Sequence, residues 1–400
     1  MALGQNSDNL ESFYLDVLQR LVSQPTAPFR EERVARGIAA LLREWDVPFE
    51  LDEFGNIIAH YQRGPECRPL VLMAHMDHPA FVITTRGGPN GTDFVGKLQG
   101  GVSAQCFMQE VAVKLFPRSR PDSEAGIAAR IVGFKQGEKP REVEFYLNLD
   151  KADEVAVVEI GDFGIWDLPD YELRGDFIHA RVIDDLVGCA AALLTLWELS
   201  QEQPDTNVYG VFTRAEEVGL VGATAVLQSG RLPKTAYIVS LEASKTLPGA
   251  VQGEGPVVRV GDKIFTFQEE AEIVLRTAAQ NLNKGGSVGQ PPLFKSQRQL
   301  MSGGGCEAGA ALLAGYTATG LAFPLGNYHN VTSDFRLEPE NIHKADYIAG
   351  ILLLQEAVRL MPQADDLRLN LTKTYGDVEP LIEQLKASAN LITTAVQQKD

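Results

Sequence analysis

The chain has 400 residues, 44% of them hydrophobic and 22% charged, a composition typical of a soluble globular protein. Its formal net charge of −17 argues against binding to nucleic acids or anionic membranes, since both would repel it. Its length exceeds one ordinary hydrophobic core, so we expect two domains or one domain with a large insertion.

The targeting and redox features of the chain are those of a cytoplasmic protein. Its start lacks the basic and apolar segments of a signal peptide. Nowhere does an apolar run approach the roughly 18 residues of a membrane span. The cysteines form no C-x-x-C pair, so we expect free thiols in a reducing compartment. They are Cys67, Cys106, Cys189 and Cys306.

The first elements in chain order are two helices, a hairpin and a buried strand. Helical apolar spacing predicts one helix over residues 9–26, ended by Pro25, and another from about residue 28. Alternation with a turn predicts a hairpin over residues 49–61. An apolar run then predicts a buried strand that ends at His75. This order is typical of the start of a three-layer α/β/α sandwich.

Residues 82–176 have a different pattern. Short β-rich segments alternate with glycine-containing turns, and helical periodicity disappears. Such a series predicts a small β-barrel or sandwich inserted into the host domain. We therefore predict a catalytic domain formed by residues 1–81 and 177–362, an inserted β-domain over 82–176, and a peripheral helical tail over 363–400.

Strands and helices alternate again after the insertion, which predicts a mixed, mostly parallel sheet. We predict helices over residues 187–199, 269–281 and 340–361, and strands over 208–216, 236–242 and 317–323. Ser302 to Ala308 is a glycine-rich turn before a further helix. It has no phosphate-loop spacing, so we expect its glycines to serve close backbone packing near the site.

The acid pair Glu216–Glu217 follows one predicted buried strand directly. Active sites of open α/β sheets lie at the carboxyl ends of strands, so one glutamate could bind a metal while the other acts as a base. A solvated acidic turn explains the pair equally well in isolation. The other polar residues at strand ends favour the functional interpretation.

Five residues at or just past predicted strand ends are candidate metal ligands: His75, Asp184, Glu217, Glu242 and His329. Two imidazoles and three carboxylates suit two zinc-like ions that share one carboxylate. Ions about 3.5–4 Å apart can activate a shared water and polarise a carbonyl. The remaining glutamate, Glu216, would then move the proton to the leaving amine. This chemistry is amide hydrolysis.

Each candidate also has a structural interpretation. A histidine at a strand end is usually only a hydrogen-bonded core residue, although Asp77 can orient the His75 ring. The Asp184–Asp185 pair can cap the following helix, so that one aspartate caps while the other binds metal. Glu242 can reach solvent instead of binding a metal. The spacing of His329 alone gives little support for its role as a ligand. We treat His60 and His78 as background and His343 as a surface residue.

The motifs resemble those of a known family when they are taken together. Ala74-His-Met-Asp77, Ile183-Asp-Asp-Leu-Val-Gly188, Ala215-Glu-Glu217, Val239-Ser-Leu-Glu242 and Tyr328-His329 occur in the order found in co-catalytic zinc exopeptidases. The chain most resembles the glutamyl aminopeptidase and tetrahedral aminopeptidase family, which shares the insertion between His75 and Asp184. The resemblance covers roughly residues 10–360.

The resemblance implies a role for each site residue. It makes Asp184 the bridging ligand, with His75 and Glu242 completing one metal site and Glu217 and His329 the other. It makes Glu216 the general base and Asp77 the residue that orients His75. The implied assembly is a homo-oligomer, from a dimer up to a dodecamer.

The chain differs from the family pattern at three positions. Leu186 replaces the usual arginine after the paired aspartates, Glu242 replaces an aspartate, and Asn327-Tyr-His329 replaces an Arg-Tyr-x-His segment. Glutamate still binds zinc, and a glutamate at that position accompanies some carboxypeptidases and deacylases of related families. The ligand set therefore remains complete.

We expect an aminopeptidase that uses two divalent ions, zinc before cobalt or manganese, on peptide substrates. A carboxypeptidase or N-acyl-amino-acid deacylase on the same scaffold is the alternative within enzymes. A metal-binding relative that has lost catalysis is the alternative outside them. Glu216, which such a relative would not need, argues against the last.

Overall fold

The computed structural model describes residues 3–120, 125–284, 292–367 and 378–397. The helices are α1 (Leu3–Val22), α2 (Glu32–Glu44), α3 (Leu186–Glu202), α4 (Val221–Gln228), α5 (Glu269–Leu282), α6 (Glu307–Leu313), α7 (Lys344–Leu360) and α8 (Glu379–Gln397). The strands are β1 (Phe49–Leu51), β2 (Ile57–Arg63), β3 (Leu70–His75), β4 (Ala80–Arg86), β5 (Phe94–Gln99), β6 (Val111–Phe116), β7 (Ile127–Gln136), β8 (Val143–Leu149), β9 (Phe163–Trp166), β10 (Glu172–Arg174), β11 (Phe177–Ala180), β12 (Thr206–Thr213), β13 (Tyr237–Lys245), β14 (Val257–Gly261), β15 (Gln297–Leu300), β16 (Thr317–Gly326) and β17 (Glu340–His343).

The large sheet is mixed, with a parallel centre. Its order is β1-β2-β12-β3-β13-β16-β17-β11-β10, and β14 pairs with β15 and β16 off this path. The four strands β12, β3, β13 and β16 are parallel to one another. Their carboxyl ends therefore lie along one edge of the sheet.

Helices cover both faces of this sheet. The central strand β3 is therefore buried along its whole length. Val71 and Met73 point to one face, where they share a core with residues of α4 and α6. Gly210 of β12 lies against Leu196 of α3 on the opposite face, since a Cβ at position 210 would stand 2.6 Å from the Leu196 side chain. The helix α7 packs against α3. The predicted α/β/α fold class is confirmed.

The strands β4-β5-β8-β7-β6-β9 close into an antiparallel barrel. Residues of β7 alternate between buried and exposed from Ile127 onward, which turns one set of side chains inward. Aromatic side chains fill the interior, with Phe107 and Phe145 ring centroids 4.5 Å apart. The predicted inserted barrel is thus confirmed as an architecture. Its strands span residues 80–166, and β10 pairs instead in the large sheet.

Several predicted boundaries differ from the observed elements, and the strand predicted over residues 208–216 is observed as Thr206–Thr213. The first helix begins at Leu3 and ends at Val22, before Pro25. The helix predicted over residues 340–361 is wrong at its start, because Glu340–His343 pairs as β17 with β16 and β11. Tertiary pairing overrides the local helical pattern there. The strands β14 and β15 are not predicted from the sequence.

Residues 1–362 form one compact unit and residues 363–400 another, so the division at 82–176 stays a prediction. Within the second unit, α8 agrees with the helical tail expected from the sequence. The parts of that tail at 368–377 and 398–400 lie outside the described residues. Among the described residues, no helix is long and apolar enough to cross a membrane.

Candidate metal centre

The strand β3 places His75 at its last position, opposite Thr213 of β12 in a parallel ladder. The acid pair Glu216–Glu217 follows β12 after a short turn, so both glutamates reach the same edge of the sheet. Pairing between β13 and β3 stops at Ser240, and Glu242 lies just beyond that point. Three candidate segments therefore meet through strand pairing alone.

Two further candidates enter from connections rather than from strands. Asp184 lies between β11 and α3, next to Asp185, whose carboxylate accepts a hydrogen bond from the Gly188 amide at 3.3 Å and caps α3. His329 lies in a single 3-10 turn after β16 and has a left-handed φ of 55°. Non-glycine residues adopt this conformation where surrounding contacts enforce it, often at functional sites.

The five candidate ligands converge in two groups of three that share Asp184. One group is His75, Asp184 and Glu242, and the other is Asp184, Glu217 and His329. Within each group, the potential ligand atoms lie within 4.8 Å of one another. Oδ1 of Asp184 lies 3.5 Å from Nε2 of His75, and its Oδ2 lies 3.6 Å from Nε2 of His329. A third group, His75, Glu216 and Glu217, overlaps both.

The hydrogen bonding of these residues fits bound cations. Asp184 Oδ1, Glu217 Oε1 and Glu242 Oε1 are buried and have no hydrogen-bond partner. Glu217 Oε1 stands 3.1 Å from His329 Nε2, so the two atoms are close without the orientation of a hydrogen bond. A buried carboxylate oxygen without a donor is costly unless a cation satisfies it. Imidazole and carboxylate ligands suit zinc, cobalt or manganese.

The far nitrogen of each imidazole is held by the chain. Nδ1 of His75 lies 3.1 Å from the Asp77 carbonyl oxygen, and Nδ1 of His329 lies 2.6 Å from that of Gly101. If each Nδ1 carries the proton, Nε2 is left with a free lone pair directed at the carboxylates. Gly101 follows β5, so the barrel also takes part in positioning His329.

Two buried carboxylates hold the turn that carries the acid pair. Asp77 accepts hydrogen bonds from the backbone amides of Glu216 at 2.9 Å and Glu217 at 3.1 Å. Glu31 accepts one from the Ala215 amide at 3.0 Å. Ala215 has a left-handed φ of 53°, which these bonds stabilise. Asp77 thus fixes the acid pair as well as lying 3.6 Å from Nδ1 of His75.

Gly222 packs against this turn, so Gly222→Ala should disrupt the site. An added Cβ would stand 2.3 Å from the Arg214 carbonyl oxygen and 2.5 Å from its nitrogen. We expect a loss of about 1–3 kcal/mol or more in the free energy of unfolding, measured by denaturant titration. Metal affinity should also fall. Thr224→Ala, exposed on the same helix, is the control, and equal stability of the two variants would contradict this prediction.

Glu340, which the sequence assigned to a helix, joins the two segments that carry Asp184 and His329. Its carboxylate is fully buried and accepts hydrogen bonds from the amides of Ile183 at 2.8 Å, Asp184 at 3.0 Å and His329 at 2.8 Å. No local pattern signals this role, because the partners are backbone groups far away in the sequence.

His78, predicted to be background, is also part of the centre. The residue is buried, its Nδ1 lies 2.8 Å from the Asp184 carbonyl oxygen, and its Nε2 lies 3.0 Å from the Asn330 side-chain oxygen. A signal was available here, because His78 lies three residues after His75 and directly follows Asp77.

Burial and the neighbouring charges shift the pKa values of the candidate ligands in opposite directions. Burial lowers the pKa of His75, but the neighbouring Asp184, Asp77 and Glu216 outweigh it and hold that pKa well above the usual range. Burial raises the pKa of Glu242 to about 8 and that of Glu216 well above its usual value. Asp184 shows the opposite result, because the two adjacent imidazoles outweigh the effect of burial and lower its pKa. Bound dications would take the place of protons on these groups.

Glu307 offers a pH-dependence prediction for the chelated protein. Burial raises its pKa to about 7 from 4.5, against the opposing effects of His75 and a hydrogen bond from Thr213. The folded state then binds the proton more tightly than the unfolded state. We expect the contribution of Glu307 to stability to be full below about pH 4.5 and to be lost as the pH rises to about 7, by on the order of 3 kcal/mol.

Glu307→Gln keeps the acceptor for Thr213 and removes this titration. The wild-type free energy of unfolding should therefore fall relative to the variant between about pH 4.5 and pH 7, measured by urea titration across the range. Parallel pH curves for the two proteins would show that Glu307 does not titrate in this window.

Known proteins are similar to this chain in sequence. Residues 55–341 match the sequence profile described as M42 glutamyl aminopeptidase. A candidate aminopeptidase of Acetivibrio thermocellus is 24% identical to this chain over 362 residues. The match covers 87% of this chain and 99% of that relative.

Solved structures share the fold. The aminopeptidase APDkam598 from Desulfurococcus kamchatkensis has a TM-score of 0.71 at 21% identity, over 89% of this chain and 97% of its own. The TET1 peptidase of Pyrococcus horikoshii, which can assemble into a tetrahedron or a large octahedral shell, has a TM-score of 0.69 at 21% identity, over 86% of this chain and 99% of its own. Because the profile spans more than half of the sequence, the chain belongs to the M42 glutamyl aminopeptidase family and is a peptide hydrolase.

Proposed function

We propose that this peptide hydrolase is a two-metal aminopeptidase that removes N-terminal residues from peptides. The observation that carries the proposal is the pair of ligand groups joined by Asp184, with its two oxygens facing different histidines. Two groups with one shared carboxylate are the arrangement expected of a co-catalytic centre.

The residues divide between the two ions as follows. His75, Asp184 and Glu242 would hold one ion, and Asp184, Glu217 and His329 the other. When bound, the ions lower the pKa of an attacking water and polarise the carbonyl of the scissile bond. We propose zinc as the native metal, and cobalt or manganese would fit the same ligands.

Glu216 is the proposed general base. Its Oε2 lies 3.9 Å from Nε2 of His75, so the carboxylate borders the ligand groups. It would accept the proton of the attacking water and deliver it to the leaving amine. The bond from its amide to Asp77 fixes its backbone, so that its position does not depend on substrate.

The closest alternative is a carboxypeptidase or an N-acyl-amino-acid deacylase on the same scaffold. Glu242, which replaces the family's usual aspartate, is the feature that favours it. An aminopeptidase must recognise a free ammonium group, whereas a deacylase must accept a blocked nitrogen. Substrates that differ only in N-acylation therefore separate the two.

We also propose a homo-oligomer in the cytoplasm. The assembly is suggested by two solved structures of the TET1 peptidase, one described as a tetrahedron or a large octahedral shell and the other as a dodecamer. The compartment is suggested by the free state of Cys67, Cys106, Cys189 and Cys306. Light scattering of the purified protein measures the assembly directly, and a monomer at all concentrations would exclude it.

Metal content per chain, combined with a substrate panel, tests the proposed activity. The panel contains aminoacyl anilides and the same compounds with an acetylated amine. We expect about two ions per chain, turnover of the free amines only, and loss of turnover with chelator. Release of acetate from only the acetylated members would favour the deacylase, and two bound ions with no turnover of either set would exclude both the aminopeptidase and the deacylase.

A further inference from the structure

The barrel contacts the metal centre at two points. One is Gly101, which follows β5 and whose carbonyl oxygen lies 2.6 Å from Nδ1 of His329. The other is the turn between β7 and β8, where Nη1 of Arg141 donates a hydrogen bond to the Glu217 carbonyl oxygen at 3.3 Å. Both contacts reach candidate ligands of the same ion, in the group of Asp184, Glu217 and His329. We call this group the second ion site.

The two contacts are adjacent in space. A Cβ at Gly101 would stand 3.5 Å from Nδ1 of His329 and 3.6 Å from Nε and Nη2 of Arg141. The guanidinium therefore lies against the same backbone segment that holds the imidazole. Gly100 fixes this segment, because its φ of 100° favours glycine and an added Cβ would stand 2.9 Å from Cα of Pro79.

Glu217 is held by the peptide groups on both of its sides. Its amide donates a hydrogen bond to Asp77, which follows β3 of the large sheet, at 3.1 Å. Its carbonyl accepts the hydrogen bond of Arg141 from the barrel. The two soft dihedrals of a residue lie between these two peptide planes. The two bonds together therefore set the direction in which the Glu217 side chain leaves the backbone.

His329 is held in the same divided way. Its amide donates a hydrogen bond to Glu340 of β17 at 2.8 Å, and its ring faces the Gly101 carbonyl of the barrel. The other ion site differs, because the ring of His75 faces a carbonyl two residues later in its own segment, and Glu242 lies within β13. The barrel therefore supports the second ion site selectively.

The turn that carries Arg141 is braced by its own hydrogen bonds. Nε2 of Gln136 lies 2.9 Å from the Lys139 carbonyl oxygen and 3.1 Å from that of Glu142, so one side chain spans the turn. The Arg141 side chain is exposed and lines, with Gly101, an open cavity of ≈ 410 Å³. Its replacement therefore leaves no void in the hydrophobic core.

We propose that Arg141 is a positioning residue through which the barrel sets the affinity of the second ion site. It acts through the backbone of Glu217 and through its packing against Gly101. A planar guanidinium can donate from one edge while another edge lies against the backbone, which a lysine cannot do. This role rests on the proposed two-metal function and assigns one part of it to the inserted barrel.

Zinc titration in competition with a chromophoric chelator tests the proposal on Arg141→Met, which keeps an unbranched stem and removes the donor. We expect one of the two ions to bind about tenfold to a hundredfold more weakly than in native protein, the range for groups that hold a metal ligand in place. The other ion should keep its native affinity. The control Lys139→Met removes a cation from the same turn, with a side chain 80% exposed, and should change neither affinity.

Double variants assign the weakened ion. In His329→Gln protein, which lacks a ligand of the second ion site, Arg141→Met should no longer change zinc affinity. In Glu242→Gln protein, which lacks a ligand of the other site, the effect of Arg141→Met should persist. Native zinc affinities in Arg141→Met would overturn the proposal, as would equal weakening of both ions or an effect that survives in His329→Gln protein.

Turnover at varied zinc concentration provides a second readout. The hydrogen bond of Arg141 is to the backbone of a ligand and not to Glu216. At saturating zinc, kcat of Arg141→Met should therefore stay close to the native value, while the zinc concentration that gives half-maximal turnover rises. A kcat that stays low at saturating zinc would contradict a role confined to ion affinity.

Failure of the two-metal proposal itself would give a different result, namely native protein that holds fewer than two ions. A crystal structure of ion-free Arg141→Met protein then still tests the contact. The Glu217 side chain should shift relative to ion-free native protein, while His75 keeps its position. An unshifted Glu217 would overturn the role of Arg141.

Discussion

Asp184→Asn is expected to lower the metal content from about two ions per chain to fewer than one and to reduce kcat/KM by more than about 100-fold. Mutation of a residue that only hydrogen-bonds to a metal ligand typically lowers metal affinity or activity by about 10–100-fold. Asp184 is the residue common to both ligand groups, so we expect a larger effect. Asparagine keeps one oxygen but replaces the other with an NH₂ donor that does not bind a cation. Elemental analysis and anilide hydrolysis measure the two effects.

The adjacent Asp185→Asn is the matched control. Its carboxylate caps α3, and Asp185 belongs to neither ligand group. Asparagine caps helices about as well as aspartate, so this variant should keep both ions and most of its stability. Two ions and normal turnover in Asp184→Asn would remove Asp184 as the bridge.

Glu216→Gln is expected to reduce kcat by about 10²–10⁴-fold while both ions stay bound. The amide has nearly the shape of the carboxylate but cannot accept a proton from water. KM for an anilide substrate should change little, because the variant alters the proton transfer and not the cavity. Steady-state kinetics together with metal analysis check this result.

Glu217→Gln separates the roles of the two neighbouring glutamates. Glu217 belongs to the group with His329, so its variant should lose an ion rather than only the proton acceptor. If Glu216→Gln loses metal and Glu217→Gln keeps it, the two roles are reversed. Normal kcat in Glu216→Gln with both ions bound would exclude Glu216 as the base.

The sequence could group the candidate ligands because these residues obey a rule of sheet topology. His75, Glu217 and Glu242 each follow an apolar run, and parallel strands bring their ends to one edge. The same rule placed His329 after the strand that became β16. The barrel was predicted for a similar local reason, since short alternating segments leave no helical interpretation.

The residues that sequence reasoning missed act through distant partners. Glu340 bonds to amides 11 and 156 positions away, and its own segment has helical spacing that strand pairing overrides. Arg259 is ordinary in sequence, and only the fold shows that its Nε and Nη1 atoms are buried without a hydrogen-bond partner. Charge patterns along a chain cannot show which side chains become buried together.

The parallel centre of the sheet also links the proposed ions to the opening of its strands. His75 ends β3, Glu217 follows the neighbouring β12 after a short turn, and Glu242 lies on β13, so neither proposed ion would be held by one local loop. Ions bound between these segments would stabilise them against local opening. Loading with metal should therefore slow amide hydrogen exchange in β3, β12 and β13 together. Amides that exchange by the opening of a single turn should exchange at the same rate with and without metal.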